Sequence, residues 1–229
     1  MGFEVRGIDT VRSMKLRAAL YESGDTIVVE GYAPKSQYDE LLGMQPLPGG
    51  RVLFLALDGA GFYGQRGRVW QTGEGNIYVC AKLETRADVC EGMLRASQFV
   101  APLAMARVSE KFVCGAVGLK WVNDLMIDGR KSGGVLTHYR RTEGRHCFFW
   151  GIGLNVLKSP ACDQATTCLC AHLKPHLRQG WGCGDVSDEG RFELYLSVLS
   201  ELWRGLNTGF MDYVGDWART EAEYRERLI

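Results

Sequence analysis

The chain has 229 residues, 46% of them hydrophobic, and its 27 basic residues are balanced by 27 acidic ones. That length and apolar content can bury a sizeable core as one domain, while a formal charge of zero supplies no global field to draw nucleic acid or an anionic membrane. No apolar run reaches the roughly 18 residues of a membrane span, and the opening MGFEVRG has neither a signal-peptide core nor the Ser or Thr that a myristoylation motif needs at position six, so a cytoplasmic location is expected.

In chain order, residues 1–23 read as an N-terminal extension carrying a short helix around Val11 to Tyr21, and residues 24–229 as the main domain. Ile27 to Gly31 is the first core strand, Lys35 to Leu42 a helix, Gln45 to Gly50 a Pro/Gly loop, and Val52 to Leu57 a continuous apolar strand of the kind a buried sheet uses. Ile77 to Leu83 is another strand. Met93 to Phe112 is mainly helical, with Pro102 kinking or starting a segment. Lys120-Trp121-Val122 reads as a strand, Leu125-Met126-Ile127 as a second apolar run, and Asp128-Gly129 as a tight turn. Phe148 to Val156 is an apolar strand, an irregular stretch runs to Gly190, and Arg191 to Leu206 is an amphipathic core helix.

Three of these segments carry candidate chemistry. A lysine placed like Lys131, just after a turn, can reach back toward a carboxylate or phosphate held by the preceding strand, and Gly133 and Gly134 would let a ligand approach the backbone. The competing reading is a solvated surface hairpin. In GQRGRVW, residues 64–70, Arg66 and Arg68 sit among glycines whose exposed N–H groups suit an anion; alternatively this is a basic turn. In GIGLNV the small residues Gly151 and Gly153 mark either a close ligand approach or a bulged core strand ending at Asn155. No G-x-S-x-G elbow is present and the four histidines sit in no nucleophile motif, which disfavours a hydrolase.

Taken in order, GQRGRVW, GNIYV (75–79), KWVNDL, RKSGGVL and GIGLNV resemble the catalytic domain of biotin protein ligases, with matching spacings from about Val28 to Val156. Val122 stands where the family has proline. The resemblance implies an α+β fold of the class II synthetase type: a mixed, mostly antiparallel sheet flanked by helices, forming a single catalytic domain over residues 24–229. It implies an enzyme, a ligase that activates biotin with ATP and Mg²⁺ as biotinyl-AMP and passes the acyl group to a lysine of a carboxylase biotin-carrier domain. By position, Lys131 would bridge acyl oxygen and α-phosphate as the catalytic cation, with Arg68 beside it. Arg66, Arg68, Trp70, Lys120, Asn123, Asp124 and Asn155 would hold the nucleotide, and Asp124 its Mg²⁺. Trp70 would close the loop by packing or be plain core, and Lys120 could equally be a solvated strand residue. Ser36, Gln37, Tyr63, Gly64, Gln65, Arg66, Lys131, Gly133, Gly134, Gly151 and Gly153 would meet the acid. Possible homodimerisation through a sheet edge is also implied. No helix-turn-helix segment is visible, so no DNA partner is expected, and without a membrane-length apolar run no membrane partner is expected; the small C-terminal β-barrel of many family members, which often helps hold ATP or the carrier domain, is expected to be missing, which bears on the second half-reaction more than on the first.

The departures lie on the acyl side. The family's Ser-Thr-Asn segment is Ala33-Pro34-Lys35-Ser36-Gln37 here, and its Q-T-x-G-R-G-R run aligns with residues 59–65, where both arginines are gone. Each hydrogen bond lost to a buried ureido group would cost about 1–3 kcal/mol. Lipoate or octanoate ligation, or a non-catalytic binding relative, are therefore the alternatives. Among eight cysteines, Cys162, Cys168, Cys170 and Cys183 lie near His172 and His176, but the spacing C-x5-C-x-C-x-H-x3-H is not that of a zinc site, and free thiols are expected.

Overall fold

The computed structural model describes residues 2–20, 25–44, 51–86, 88–162, 164–181 and 187–229. Strands β1 (Gly2–Arg6), β2 (Thr26–Glu30), β3 (Arg51–Ala56), β4 (Ile77–Thr85), β5 (Val117–Lys120), β6 (Asp124–Ile127), β7 (Arg130–Thr142) and β8 (Arg145–Leu154) form one sheet ordered β1-β2-β3-β4-β8-β7-β6-β5. The first three pair in parallel and all later neighbours are antiparallel, so the sheet is mixed and mostly antiparallel, as expected. Six helices accompany it among the described residues: α1 (Thr10–Leu20), α2 (Gln37–Gly43), α3 (Glu91–Phe112), α4 (Pro175–Trp181), α5 (Asp188–Gly215) and α6 (Trp217–Glu226).

Alternation along the strands sorts their side chains between two faces. Ile27, Leu53, Leu55, Val79, Ala81, Phe148 and Trp150 point into the main core, where α3 and α5 cover them. Two polar tips in this layer are satisfied across it: Trp150 Nε1 donates to the Ser97 carbonyl at 3.0 Å, and the Tyr213 hydroxyl to that of Met93. The opposite face carries Val52, Phe54, Tyr78, Cys80 and Phe149, and is covered by α2 and by the long connection between β3 and β4. Because α2 is short, it leaves the end of that face nearest β6 and β7 open.

Residues 2–20 are built into this body. β1 extends the sheet beside β2, and α1 buries Leu16 and Leu20 in the main core. The strand expected over Lys120 to Val122 is corrected: β5 stops at Lys120, which pairs with Asp124, so residues 121–123 must make the turn between β5 and β6. Asp128 and Gly129 have φ of +48° and +72°, the primed turn that joins two twisted strands. α3 runs on through Pro102 rather than starting there, and the helix expected over Arg191 to Leu206 continues to Gly215. The Gln45 to Gly50 loop lies outside the described residues. At the other end, Leu119 N donates to Arg227 O (2.8 Å) and Ile229 N to Leu119 O (3.1 Å), which ties the last residues to β5. Among the described residues no helix is long and apolar enough to cross a membrane.

Candidate active site

The open end of the second face is a cleft of 270 Å³. Among the described residues its cations are Arg68 and Lys131, and Lys131 is the one paired inside it. The primed turn returns the chain along β6, so Lys131 stands beside Met126, and its Nζ lies 2.7 Å from Asp124 Oδ1, at the start of the same hairpin. The ammonium also sits 5.4 Å from the centre of the Trp70 ring, a cation–π distance. Both partners are partly buried, and Asp124 is the one carboxylate among the described residues lining the cleft. Carboxylate and indole hold the ammonium in place while leaving it next to open space.

Trp70 closes the loop that carries the arginines. Gly64 N donates to Arg68 O (2.7 Å) and Trp70 N to Phe62 O (2.9 Å), so residues 62–70 form a narrow hairpin, with Arg66 at φ +60° in its tip. The indole packs against the sheet over Gly134 and Gly153, which are register partners on β7 and β8. A Cβ on Gly153 would come within 2.5 Å of the indole, and one on Gly134 within 3.1 Å. These strand glycines thus accommodate a tryptophan of the same chain, where the sequence suggested direct ligand approach. Gly151 makes the same allowance for Tyr38, whose ring would be 2.9 Å from an added Cβ. Gly133 faces the other way: a Cβ there would meet Met105 Sδ at 3.2 Å in the main core, because neighbouring strand residues alternate sides.

The expected acyl end lies under α2. Ser36 is the residue preceding that helix, yet its hydroxyl makes no capping bond and remains on the cleft wall. Gln37 is 4% exposed, its Nε2 donates to Glu30 Oε2 at 2.6 Å, and its Oε1 has no partner. Since a carboxylate can only accept, Glu30 fixes the amide orientation and leaves Gln37 Oε1 as a buried acceptor in need of a donor. The Tyr63 hydroxyl donates to Asp39 Oδ1 at 2.5 Å; burial first, and that bond second, push its pKa up to about 12. Tyr38, Cys80 and Leu136 supply apolar wall that the sequence did not single out. Burial raises the Cys80 thiol well above its ordinary range, which favours the neutral thiol.

Asn155 anchors the floor. Its N donates to Ser132 O (2.7 Å) and its Nδ2 to Thr167 O (3.0 Å), while Oδ1 is buried without a partner. Asn123 donates from Nδ2 to Val135 O at 2.7 Å, which stitches the β5–β6 turn to β7. The sequence missed Asn76, whose Oδ1 accepts from the backbone N of Val156, Leu157 and Lys158 at 3.0, 3.2 and 3.1 Å. It clamps the exit of β8 to the entry of β4. Ser36, Gln37, Tyr63, Gly64, Gln65, Arg68, Trp70, Asn123, Asp124, Lys131, Gly134, Gly151, Gly153 and Asn155 all line the cleft. Arg66 and Lys120 are exposed residues that do not, since one sits at the hairpin tip and the other points out from the end of β5. Residues 160–166, read from sequence as irregular, also contribute wall, through Pro160, Cys162, Gln164 and Thr166.

Among the described residues no group of three His, Cys, Asp or Glu could hold a metal ion. Cys162 and Cys168 are free, as expected, whereas Cys170 is disulfide-bonded, which corrects the expectation for that residue. Cys183 lies outside the described residues.

Comparison with known proteins agrees with this arrangement. The chain is 33% identical over 98 residues to the bifunctional ligase/repressor BirA of Bacillus subtilis, a stretch covering 42% of this chain and 30% of that protein. It is 32% identical over 118 residues to biotin–protein ligase 2 of Arabidopsis thaliana, covering 48% of this chain and 33% of that one. The matched stretch is thus about a third of the length of these curated relatives. The fold is that of the Leishmania major biotin protein ligase solved with biotinyl-5-AMP (TM-score 0.64, 16% identity, 91% of this chain and 83% of that chain). It is likewise that of the Aquifex aeolicus biotin protein ligase solved with biotin and ATP (TM-score 0.61, 16% identity, 89% and 78%). A model of one family covers residues 31–155, more than half of the 229, and takes in α2, the tryptophan hairpin, Lys131 and Asn155 together: the chain belongs to the biotin/lipoate A/B protein ligase family.

Proposed function

We propose that this chain activates biotin with ATP to biotinyl-AMP and transfers the acyl group to a lysine of a carboxylase biotin-carrier domain. The observation that carries this reading is the Lys131 ammonium, held 2.7 Å from Asp124 at the edge of the cleft and 5.4 Å from the Trp70 ring. A carboxylate and an α-phosphate repel each other, and a preorganised cation between them lowers the cost of bringing them in line. The biotin carboxylate oxygen attacks the α-phosphorus, the α–β bridging bond breaks, and pyrophosphate leaves. In the second step the carrier amine attacks the acyl carbon and AMP departs, which needs no nucleophile from this chain. Arg68 on the cleft wall supports the phosphate charge. Asp124, the carboxylate lining the cleft, fits a Mg²⁺ that arrives with the nucleotide, since such an ion takes one or two carboxylates and otherwise water and phosphate oxygens.

Biotin is favoured over lipoate or octanoate by Gln37. Its orphan Oε1 calls for a donor, and a ureido N–H supplies one where a hydrocarbon or disulfide tail does not. Mass spectrometry of an isolated biotin-carrier domain incubated with this protein, ATP, Mg²⁺ and one acid at a time tests the reading. Biotin is expected to add the mass of one biotinyl group. Addition of lipoyl or octanoyl instead, or of nothing with any acid, contradicts it.

A further inference from the structure

His172 lies outside the cleft, in the Cys/His segment, yet its ring joins two structures that hold Lys131. Its Nδ1 lies 3.0 Å from Asp128 Oδ2, and its Nε2 lies 2.7 Å from Thr167 Oγ1. Asp128 is half of the primed turn that launches β7 three residues before Lys131, and its Oδ1 accepts from Ala116 N at 2.8 Å. Thr167 is 2% exposed and belongs to the segment that pairs with Lys131 itself: Lys131 N donates to Ala165 O at 3.0 Å, and Thr167 N to Lys131 O at 2.9 Å. β8 ends at Leu154, opposite Gly133, and residues 165–167 take over beside β7 where β8 leaves off. The path from Lys131 back to Asp128, across His172 to Thr167 and on to Lys131 is a closed ring of covalent and hydrogen bonds. The backbone of His172 is anchored as well, through Cys114 N to His172 O at 2.9 Å.

We propose that His172 is a positioning residue for Lys131: it fixes the 165–167 segment and the Asp128 turn relative to each other, and so fixes where the ammonium stands. With Nδ1–H donated to the Asp128 carboxylate, Nε2 accepts the Thr167 hydroxyl proton, and both ring nitrogens are used. Thr166 and Gln164 in the same segment line the cleft, so a slackened ring would move both the cation and the wall it faces. This rests on the adenylation chemistry proposed above for its catalytic consequence, but not for the clamp itself.

Two measurements on the full chain separate these. Hydrogen exchange at the Lys131 and Thr167 amides reads the clamp whether or not the protein turns over. His172→Ala should speed exchange at both by about tenfold or more while β4 and β8 amides keep their protection, and His172→Gln, whose amide can donate to Asp128 and accept from Thr167, should restore it. In ATP–pyrophosphate exchange with biotin, His172→Ala should lower kcat by about tenfold or more with the biotin KM within about threefold, with the Gln variant again recovering. Unchanged exchange at the two amides overturns the clamp, and an unchanged kcat in an active parent overturns its catalytic role. A parent inactive with biotin, lipoate and octanoate overturns the proposed function, and with it the catalytic role, while the amide measurement still decides the clamp.

Discussion

At the residue scale, the site depends on a few side chains whose partners leave them one open valence. Glu30 fixes the Gln37 amide so that its oxygen is left buried without a partner, and Arg6, 3.3 Å from Glu30, balances the carboxylate behind it. Replacing Gln37 with Leu keeps the volume and removes the acceptor. Biotin affinity measured by calorimetry should fall roughly 10- to 100-fold, the worth of one buried hydrogen bond of about 1–3 kcal/mol, with octanoate affinity unchanged. Equal losses for both acids would show that Gln37 serves the fold and not the ligand. Lys131 was legible from sequence because turn, lysine and hairpin strand are contiguous, so their geometry is local. The sequence placed Gln37 on the proposed acyl side, and it lines the cleft, but it did not single it out as an acceptor, since its orientation is set by a residue seven positions away on another element. Gly133 was misplaced for a reason strand geometry supplies: adjacent strand residues face opposite sides, so Gly133 and Gly134 could not both serve the cleft.

At the scale of elements, the strands read well and the connections did not. The apolar runs of β2, β3, β4 and β8 announce a buried sheet, and the Asp128-Gly129 turn fixes the β6–β7 hairpin by its φ > 0 requirement. Tyr78 and Cys80 went unremarked because GNIYVCAK reads simply as a strand; only its register, Tyr78 opposite Gly153 and Cys80 opposite Gly151, places them on the cleft face. Residues 164–167 have no periodicity to read, and they join the site by pairing with Lys131 and by the Asn155 bond to Thr167 O. Asn76 was invisible for the same reason, as its three acceptor contacts lie some eighty residues away. Its replacement by Ala should destabilise the protein by about 2–4 kcal/mol, since several backbone N–H groups lose their acceptor together, measured as a shift of the urea midpoint. A change below 0.5 kcal/mol, roughly the noise of surface substitutions, would mean the β8 exit holds without this clamp.

At the scale of the whole molecule, one sheet separates two jobs: the helical layer on one face supplies stability, and the other face supplies the cleft. Two acid-sensitive ties bind that helical layer. The Glu223 carboxyl is held below its ordinary 4.5 by hydrogen bonds from Arg107, which join α6 to α3, and Glu201 is held below 4.5 chiefly by hydrogen bonding from Lys111, which joins α5 to α3. A carboxyl whose pKa is lower folded than unfolded adds stability that is complete above the unfolded value and lost as pH falls through the folded one. The melting temperature should therefore decline below about pH 4.5, and Glu223→Gln should flatten part of that decline at a cost near neutrality of about 0.5–1 kcal/mol for a partly exposed pair; an identical pH profile in parent and variant would rule this tie out. The central claim concerns the other face, where a single ammonium is poised to let two anions react. It is tested most directly by ATP–pyrophosphate exchange with biotin in the parent and in Lys131→Ala. Biotin-dependent exchange that falls at least about a hundredfold in the variant, with the fold intact by circular dichroism, is the predicted result. Exchange that survives the loss of Lys131 undiminished would contradict the account.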